Sequence, residues 1–413
     1  MSTPTLTAAT RAVTDPPAPA GTRRLFAAGA PDLAHHAATF GPLPHPDSAA
    51  LVDEVQAAGL AGRGGAAFPA WRKIASAQKR AGTRDRVVVI GNGAEGEPMS
   101  AKDATLLQRA PHLVIDGLLL AGAAVGATEL YLYTGAAALA SVRAATLERS
   151  DARGIVLREA PDSFISGEAS AVIHSIEKGR AIPRDHVVRL TTSGLRGRPT
   201  LLHNVETLAH LALVARYGAD WFRSVGSREE PGTRLFTVRA PDGLRVIEAA
   251  GGVSIAEAVS LAGVDPRGFS AVLVGGYHGG WVRSEHLGRP LTREALQEFG
   301  AAPGAGILMG LPVGSCGLTA AAQIARYLAS QSARQCGPCV NGLPELASVL
   351  TRLASGRRDP GLPAEVRRLA GIVTGRGSCH HPDGTARFVL STLTAFADDV
   401  EAHLAGHCLG GAA

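Results

Sequence analysis

The fold is decided by residues 87–98, which read Val87-Val88-Val89-Ile90-Gly91-Asn92-Gly93-Ala94-Glu95-Gly96-Glu97-Pro98. Four β-branched residues in a row predict a short buried strand, and the glycines after it let the backbone turn sharply and approach a bound molecule. The acids of this segment are followed by Lys102-Asp103. Open α/β sheets bind ligands at the carboxyl ends of their strands, so the segment predicts the edge of a binding site.

A second glycine-rich segment lies just upstream. Residues 62–69 read GRGGAAFP, and Lys73 follows four residues later. Backbone N–H groups of such loops, together with a lysine, suit a phosphate group. One glycine loop is a weak signal that fits an ordinary turn, but two loops before the same sheet favour a ligand that carries phosphate.

Composition excludes several classes of protein. The chain has 413 residues, of which 46% are hydrophobic and 19% charged, and its formal charge is +5. With only 4% aromatic residues and no dense basic run, nucleic acid is not expected as a partner. The most apolar stretch, residues 113–127, contains Asp116 and three glycines, so no direct membrane span is expected. Without a signal-peptide pattern, a cytoplasmic protein is the expectation.

The pattern of elements predicts four regions. Residues 1–22, rich in Thr, Ala and Pro, are expected to be a disordered tail. Strands and helices alternate over 23–228, which predicts a parallel sheet, with one helix between Asp47 as N-cap and Gly59 as C-cap and another interrupted near Pro111. Two strands, a helix and two strands predict a compact β-grasp module at 229–300. Four helix candidates, at residues 319–330, 343–353, 364–374 and 385–405, predict a helical bundle at 301–413.

The five cysteines do not fit a disulfide framework. They are odd in number, and two of them form a CxxC. We therefore consider metal or cluster binding for Cys336, Cys339 and Cys379, and interpret Cys316 and Cys408 as plain thiols.

Five segments, in this order, resemble the flavin-containing NADH-binding (51 kDa-type) subunit of respiratory complex I and the matching subunits of NAD-dependent hydrogenases and formate dehydrogenases. They are residues 62–73, 92–103, 164–168 (FISGE) and 199–208 (PTLLHNVETL), and Cys336 to Gly342 with Cys379. The resemblance covers about residues 45–405. It implies an α/β, Rossmann-like FMN-binding and NADH-binding domain, a β-grasp (SLBB-like) domain, and a helical bundle that carries iron–sulfur ligands.

The resemblance also implies roles for individual residues. Glu97 is expected near the nicotinamide of NADH as the catalytic residue. The residues expected to bind the cofactors FMN and NADH are Gly62, Arg63, Gly64, Gly65, Phe68, Lys73, Asn92, Glu95, Gly96, Gly167, Glu168, His203, Asn204 and Thr207. Several have ordinary structural alternatives: Lys73 as a surface lysine, Glu168 as a helix-start acid and Asn204 as a helix N-cap.

The chain departs from the family pattern at several positions. It has Ala94 and Ala169 in place of acids, His203 in place of an asparagine, and Ala101 in place of an aromatic residue. The family's basic and aromatic residues after the Gly-Glu helix fall near His186-Val187-Val188. Ala94 weakens a contact to the flavin side chain, and the missing aromatic residues together with Ala169 weaken the site for NADH adenosine.

The cluster region departs as well. The family spaces three cysteines three residues apart and has a fourth downstream, but Ala333 stands at the first position here. A [4Fe–4S] centre normally takes four thiolates, so Cys336, Cys339 and Cys379 form an incomplete set. His380 or His381 is a candidate fourth ligand, and a Cys₃His zinc site or a vestigial region without metal are the alternatives.

Three functions remain open at this point. The first is an FMN-dependent NADH oxidoreductase subunit that passes electrons through an iron–sulfur centre to a [2Fe–2S] or ferredoxin-like partner, or to a membrane complex to which it binds peripherally. The second is a non-catalytic scaffold, and the third is a flavin electron-transfer protein that does not use NADH.

Overall fold

The computed structural model describes residues 22–80, 86–184 and 188–410. The predicted disordered tail, apart from Thr22, lies outside these ranges, as do His186 and Val187.

The first sheet is parallel throughout and has four strands. They are β1 (Val88–Gly93), β2 (Glu129–Thr134), β3 (Ile155–Glu159) and β4 (Thr200–Asn204), arranged in the order β3-β2-β1-β4. Every residue of β1 is buried, as predicted. No strand was predicted within residues 199–208, but their first part is strand β4, because it pairs with β1 from the Val88/Thr200 pair to the Asn92/Asn204 pair.

Helices cover both faces of this sheet. They are α1 (Leu33–Phe40), α2 (Ser48–Ala58), α3 (Ala70–Gln78), α4 (Lys102–Arg109), α5 (Pro111–Val125), α6 (Ala136–Leu147), α7 (Ala169–Lys178) and α8 (Val205–Arg223). The predicted caps of α2 are confirmed, because Asp47 accepts the N–H groups of Ala49 and Ala50 and Gly59 adopts a φ of 67°. The predicted interruption at Pro111 separates α4 from α5. None of the helices among the described residues has the length and apolar character that crossing a bilayer requires.

The second sheet is mixed. Its strands are β5 (Thr233–Ala240), β6 (Gly243–Ala250), β7 (Phe269–Val274), β8 (Gly280–Arg283) and β9 (Ile307–Pro312), in the order β6-β5-β9-β7-β8, with helices α9 (Ile255–Leu261) and α10 (Arg293–Leu296). Four of these strands were predicted from the sequence. The fifth, β9, lies beyond residue 300 and runs through the middle of the sheet, parallel to β5 and antiparallel to β7.

Helices dominate the rest of the chain. They are α11 (Gly317–Ser330), a π-helical turn (Pro338–Gly342), α12 (Leu343–Ala354), α13 (Leu362–Val373), α14 (His381–Ala395) and α15 (Ala397–Ala405). The single helix predicted for 385–405 is two helices, because the backbone leaves helical geometry at Phe396 (φ −118°, ψ 40°). Trp281 of β8 packs edge-on against Phe396, with ring centroids 5.3 Å apart, so the helices pack against the second sheet. The predicted fold class is confirmed.

Candidate functional site

The carboxyl ends of β1 and β4 lie side by side. Asn92 and Asn204 are partners in the strand register. The Asn204 amide donates to the Asp103 carboxylate at 2.6 Å and to the Asn92 carbonyl at 3.3 Å. Its side-chain oxygen accepts the Glu206 N–H at 3.0 Å, which caps α8. Asn204 is therefore both the helix N-cap and a residue of the predicted site.

A buried group of charges lies under this edge. Lys102 Nζ is 2.6 Å from Asp103 Oδ1 and 2.8 Å from Glu206 Oε2, and all three side chains are at most 4% exposed. Burial raises the pKa of Asp103 to about 7 against the charge of Lys102. Burial alone would raise the pKa of Glu206, but the charge of Lys102 holds it below its ordinary range. Glu206 also accepts the Leu235 N–H at 2.9 Å, so the group joins α4, α8 and β5.

The glycine loop closes beside this edge. The Gly62 N–H donates to the Phe68 carbonyl at 2.9 Å. A Cβ at Gly64 would lie 3.3 Å from the Asn204 Cβ, and Gly65 has a φ of 105°. The loop can pass so close to Asn204 because these positions carry no side chain.

Arg63 anchors this loop from inside the protein. Its backbone N–H donates to Thr207 Oγ1 at 2.9 Å. Its guanidinium, 1% exposed, lies 3.1 Å from the Glu230 carboxylate and donates to the Pro231 carbonyl at 3.1 Å. The charges of Arg63 and Glu230 therefore pair in the interior, and Arg63 and Thr207 hold the loop in place.

Lys73 and His203 carry polar atoms that the described residues leave under-satisfied. Lys73 Nζ donates to the Leu202 carbonyl at 3.3 Å, and no carboxylate of the described residues lies within 4.0 Å of it. Burial lowers the pKa of Lys73. Burial, and then the charge of Lys73, lower the pKa of His203 to about 3, so its imidazole is neutral. His203 Nε2 is buried with no hydrogen-bond partner among the described residues.

Buried polar atoms in proteins are nearly always paired, and a partly buried cation such as Lys73 without a counter-ion is costly. An anionic ligand with further hydrogen-bonding atoms would satisfy both side chains. Phe68 stands beside them, 45% exposed, with its ring centroid 6.0 Å from Lys73 Nζ.

The loop after β1 packs tightly on the turn at residues 163–168. The Asn92 amide donates to the Gly167 carbonyl at 2.9 Å. A Cβ at Gly96 would lie 2.1 Å from the Ser163 carbonyl oxygen, so only glycine fits there. A Cβ at Gly167 would lie 3.0 Å from the Ala94 carbonyl oxygen. These contacts bring two of the predicted flavin segments together.

Glu95 and Glu168 both bind helix N-termini. The Glu95 carboxylate accepts the N–H groups of Asp103 and Ala104 at 3.0 and 2.8 Å, at the start of α4. The Glu168 carboxylate accepts the N–H groups of Ser170 and Ala171 at 3.0 and 2.9 Å, at the start of α7. Both acids thus have the helix-start role that was the structural alternative for Glu168.

Glu97 lies where the first sheet meets the second. Its Oε1 accepts the Tyr277 N–H at 2.6 Å. A Cβ at Gly276 would lie 2.4 Å from both carboxylate oxygens, and Gly276 has a φ of 84°. Burial raises the pKa of Glu97 to about 8, so its carboxyl holds a proton at neutral pH. Gly276 and Tyr277 were not predicted from the sequence, where the paired glycines after β7 were the available signal.

The three predicted thiols gather near the 163–168 turn. Burial and the neighbouring Cys336 raise the pKa of Cys339 to about 12. Burial, with the charges of Glu168 and Cys336, raises the pKa of Cys379 to about 11. Glu168 therefore lies within electrostatic reach of Cys379, which makes the predicted flavin edge and the thiols neighbours.

The spacing of these thiols bears on which metal they suit. A tetrahedral zinc ion with Zn–S bonds of 2.3 Å holds its sulfur atoms about 3.8 Å apart. Among the described residues, only a different group brings three such ligand atoms within 4.8 Å of one another. A four-iron cube binds each thiolate at a separate corner and so spaces them more widely. Cys336 and Cys339 lie within hydrogen-bonding reach of each other, so these two thiols stand closer together than the corners of a cube would hold them.

The two histidines after Cys379 are engaged elsewhere. His381 Nδ1 lies 3.1 Å from His278 Nε2, and its Nε2 lies 2.8 Å from the Leu328 carbonyl, so both ring nitrogens have partners. His380, with its side chain 83% exposed, lies 3.0 Å from Asp383. The Phe164 ring packs against His278 and His381 at 4.9 and 5.4 Å. His381 is not free to ligate in this arrangement.

Two family models match the chain, the first over the glycine loops and the second over the thiols. The Nuo51 FMN-binding domain matches residues 55–213, and the NADH-ubiquinone oxidoreductase-F iron-sulfur binding region matches residues 319–403. The chain belongs to the family of flavin-containing NADH-binding subunits. The first match contains both glycine loops, Glu97 and Asn204, and the second contains Cys336, Cys339 and Cys379. The predictions of an FMN domain and an iron–sulfur region are confirmed at this level.

Named relatives are similar in sequence to this family member over most of its length. It is 28% identical over 86% of its length to the NADP-reducing hydrogenase subunit HndC of Solidesulfovibrio fructosivorans, covering 76% of that protein. It is also 28% identical to a subunit of the NADH-quinone oxidoreductase of Rhizobium meliloti, covering 88% of it. An NAD⁺-reducing [NiFe]-hydrogenase in the air-oxidized state superposes with a TM-score of 0.77 at 31% identity. That match includes 87% of this chain and 63% of the hydrogenase chain.

Proposed function

We propose that this chain is an FMN-dependent NADH oxidoreductase subunit that delivers electrons through an iron–sulfur centre to a partner protein. One observation carries the proposal: Lys73 Nζ has no carboxylate partner among the described residues, and it adjoins the unpartnered, buried Nε2 of His203 beside the glycine loop.

The residues at this edge fit FMN. Lys73 and the backbone N–H groups of the 62–65 loop would hold its phosphate. Asn92, Asn204 and His203 would hold its polar chain and ring edge. Glu95, Glu168, Arg63 and Thr207 would support the surrounding loops. When bound, FMN accepts hydride from NADH and releases electrons singly.

Glu97 and Phe68 are the residues proposed for the nicotinamide side. Glu97 is fixed by the Tyr277 N–H and holds a proton near neutral pH. It would orient the nicotinamide and move a proton at its carboxyl, while the exposed ring of Phe68 would pack on the incoming dinucleotide.

The thiols would hold the cluster through which electrons leave the subunit. Cys336, Cys339 and Cys379 supply three thiolates, so one iron of a [4Fe–4S] cluster would take a ligand that is not a cysteine of this set. The named relatives are subunits of larger enzymes, which supports a partner subunit here; we propose a [2Fe–2S] or ferredoxin-like protein.

The test is an anaerobic absorption spectrum of the FMN-loaded protein before and after NADH. We expect NADH to bleach the flavin bands. Flavin that binds but is not bleached by NADH or NADPH would contradict the oxidoreductase function and favour a flavin electron-transfer protein with another donor. Failure to take up FMN at all would leave a scaffold.

A further inference from the structure

Two further thiols and a histidine form a group that shares no residue with either site. Cys316, His403 and Cys408 bring their ligand atoms within 4.8 Å of one another. From the sequence both cysteines were interpreted as plain thiols. Cys316 and His403 are 87 residues apart in the chain, so their proximity is visible only in the folded structure.

Three elements bring these residues together. Cys316 follows β9 and is the N-cap of α11, where its sulfur accepts the Thr319 N–H at 3.4 Å. His403 lies in the last turn of α15, which ends at Gly406 with a φ of 87°. The chain then folds back, and a Cβ at Gly410 would lie 2.7 Å from the Cys316 backbone nitrogen. The fold-back brings Cys408 within hydrogen-bonding reach of Cys316.

The histidine is oriented as a metal ligand would be. His403 is 3% exposed, and its Nδ1 lies 3.2 Å from the Leu353 carbonyl. A carbonyl only accepts hydrogen bonds, so the neutral ring carries its proton on Nδ1 and presents the lone pair of Nε2 to Cys316. Ligating histidines are held by their second nitrogen in this way.

The distances match a tetrahedral zinc ion. Cys316 Sγ lies 3.5 Å from His403 Nε2. Zn–S bonds of 2.3 Å and Zn–N bonds of 2.0–2.1 Å place the two atoms about 3.6 Å apart. The Asp399 carboxylate, which accepts the Gly317 N–H, adds negative charge beside the group.

We propose that Cys316, His403 and Cys408 bind a zinc ion that fastens residues 406–410 to the start of α11. Binding releases one proton from each thiol and leaves the fourth coordination position for water or a carboxylate. The role is structural, since the ion links the segment after β9, α12 through Leu353, and α15.

The test uses full-length protein in which Cys336, Cys339 and Cys379 are changed to Ser, so that metal at the other thiols does not contribute. We expect about one equivalent of zinc per chain, and Co²⁺ in its place to give thiolate-to-cobalt charge-transfer bands. Adding Cys408→Ser, at an exposed position, should remove both signals. Adding His407→Gln to the neighbouring exposed histidine should leave them unchanged.

A second measurement uses the otherwise unchanged chain. A zinc chelator should speed hydrogen exchange at residues 406–410 of the wild-type protein and have no effect on Cys408→Ser. Absence of zinc from the triple variant, zinc that survives Cys408→Ser, or a Cys316–Cys408 disulfide in the purified protein would overturn the proposal.

Discussion

The backbone N–H of Tyr277 donates a hydrogen bond to Glu97 Oε1 at 2.6 Å, across a separation of 180 residues. This contact joins the loop after β1 to the turn between β7 and β8. The Glu97 carboxyl is thus held between the two sheets, and its orientation depends on the second sheet as well as on its own loop.

Changing Glu97 to Gln should slow the reduction of bound FMN by NADH about 10²-fold, because an amide cannot supply the proton that neutralises the charge the hydride brings to the flavin. The affinity for FMN should stay the same, because Glu97 is not among the residues proposed to hold it. Stopped-flow spectroscopy measures the reduction rate, and fluorescence titration measures the affinity. The control is Glu159→Gln, at the exposed carboxyl end of β3. Equal reduction rates in both variants would contradict the role of Glu97.

The raised pKa of Glu97 also predicts a pH dependence of stability. The pKa of Glu97 is about 8 in the folded protein, against an ordinary value of 4.5 for an exposed carboxyl. The stabilisation from Glu97 is therefore fully present below pH 4.5 and is lost as the pH rises towards 8. Glu97→Gln should have a Tm that falls less than that of the wild type between pH 5 and pH 9. Parallel Tm curves would contradict the assignment.

The sequence correctly predicted those helices and strands whose formation depends on residues that are close together in the chain. Asp47 and Gly59 bound α2, and the β-branched run forms the buried β1, because capping and burial depend on neighbouring residues. Strand β4 was missed, because the polar ends of residues 200–204 are explained only by their pairing with β1. The contact of Glu97 with Tyr277 and the group around Cys316 were missed because they join distant parts of the chain.

Asp116 explains why a charged residue interrupts the most apolar helix. Its carboxylate lies 2.6 Å from both Arg149 and Arg216 and 2.8 Å from His36, and it is 1% exposed. Asp116→Asn should lower the free energy of unfolding by about 3–5 kcal/mol, because two buried guanidinium groups lose their shared counter-ion. Denaturant unfolding measures the change.

The matched control for that variant is Asp53→Asn on the exposed face of α2. It should change the free energy of unfolding by no more than about 0.5 kcal/mol. Similar effects of the two substitutions would show that the buried ion pairs do not stabilise α5.

Ala333→Cys should complete the cysteine set of the iron–sulfur region. With a fourth thiolate, the reconstituted cluster should survive exposure to air longer than the wild-type cluster, and the iron content per chain should not fall. Iron analysis and the decay of cluster absorbance measure these outcomes. Val340→Cys, on the exposed side of the π-helical turn, is the control and should give no gain. An equal gain from both variants would contradict the proposed ligand position.

We propose that FMN binds at the edge formed by the glycine loop, Lys73 and His203, and the affinity of Lys73→Met for FMN measures this directly. Loss of one charge-assisted contact of about 1.5–3 kcal/mol predicts a Kd about 10–100-fold higher than that of the wild type. Lys79→Met, at the exposed end of the same helix, should bind as the wild type does. A Lys73→Met protein that binds FMN as tightly as the wild type and Lys79→Met would contradict the claim.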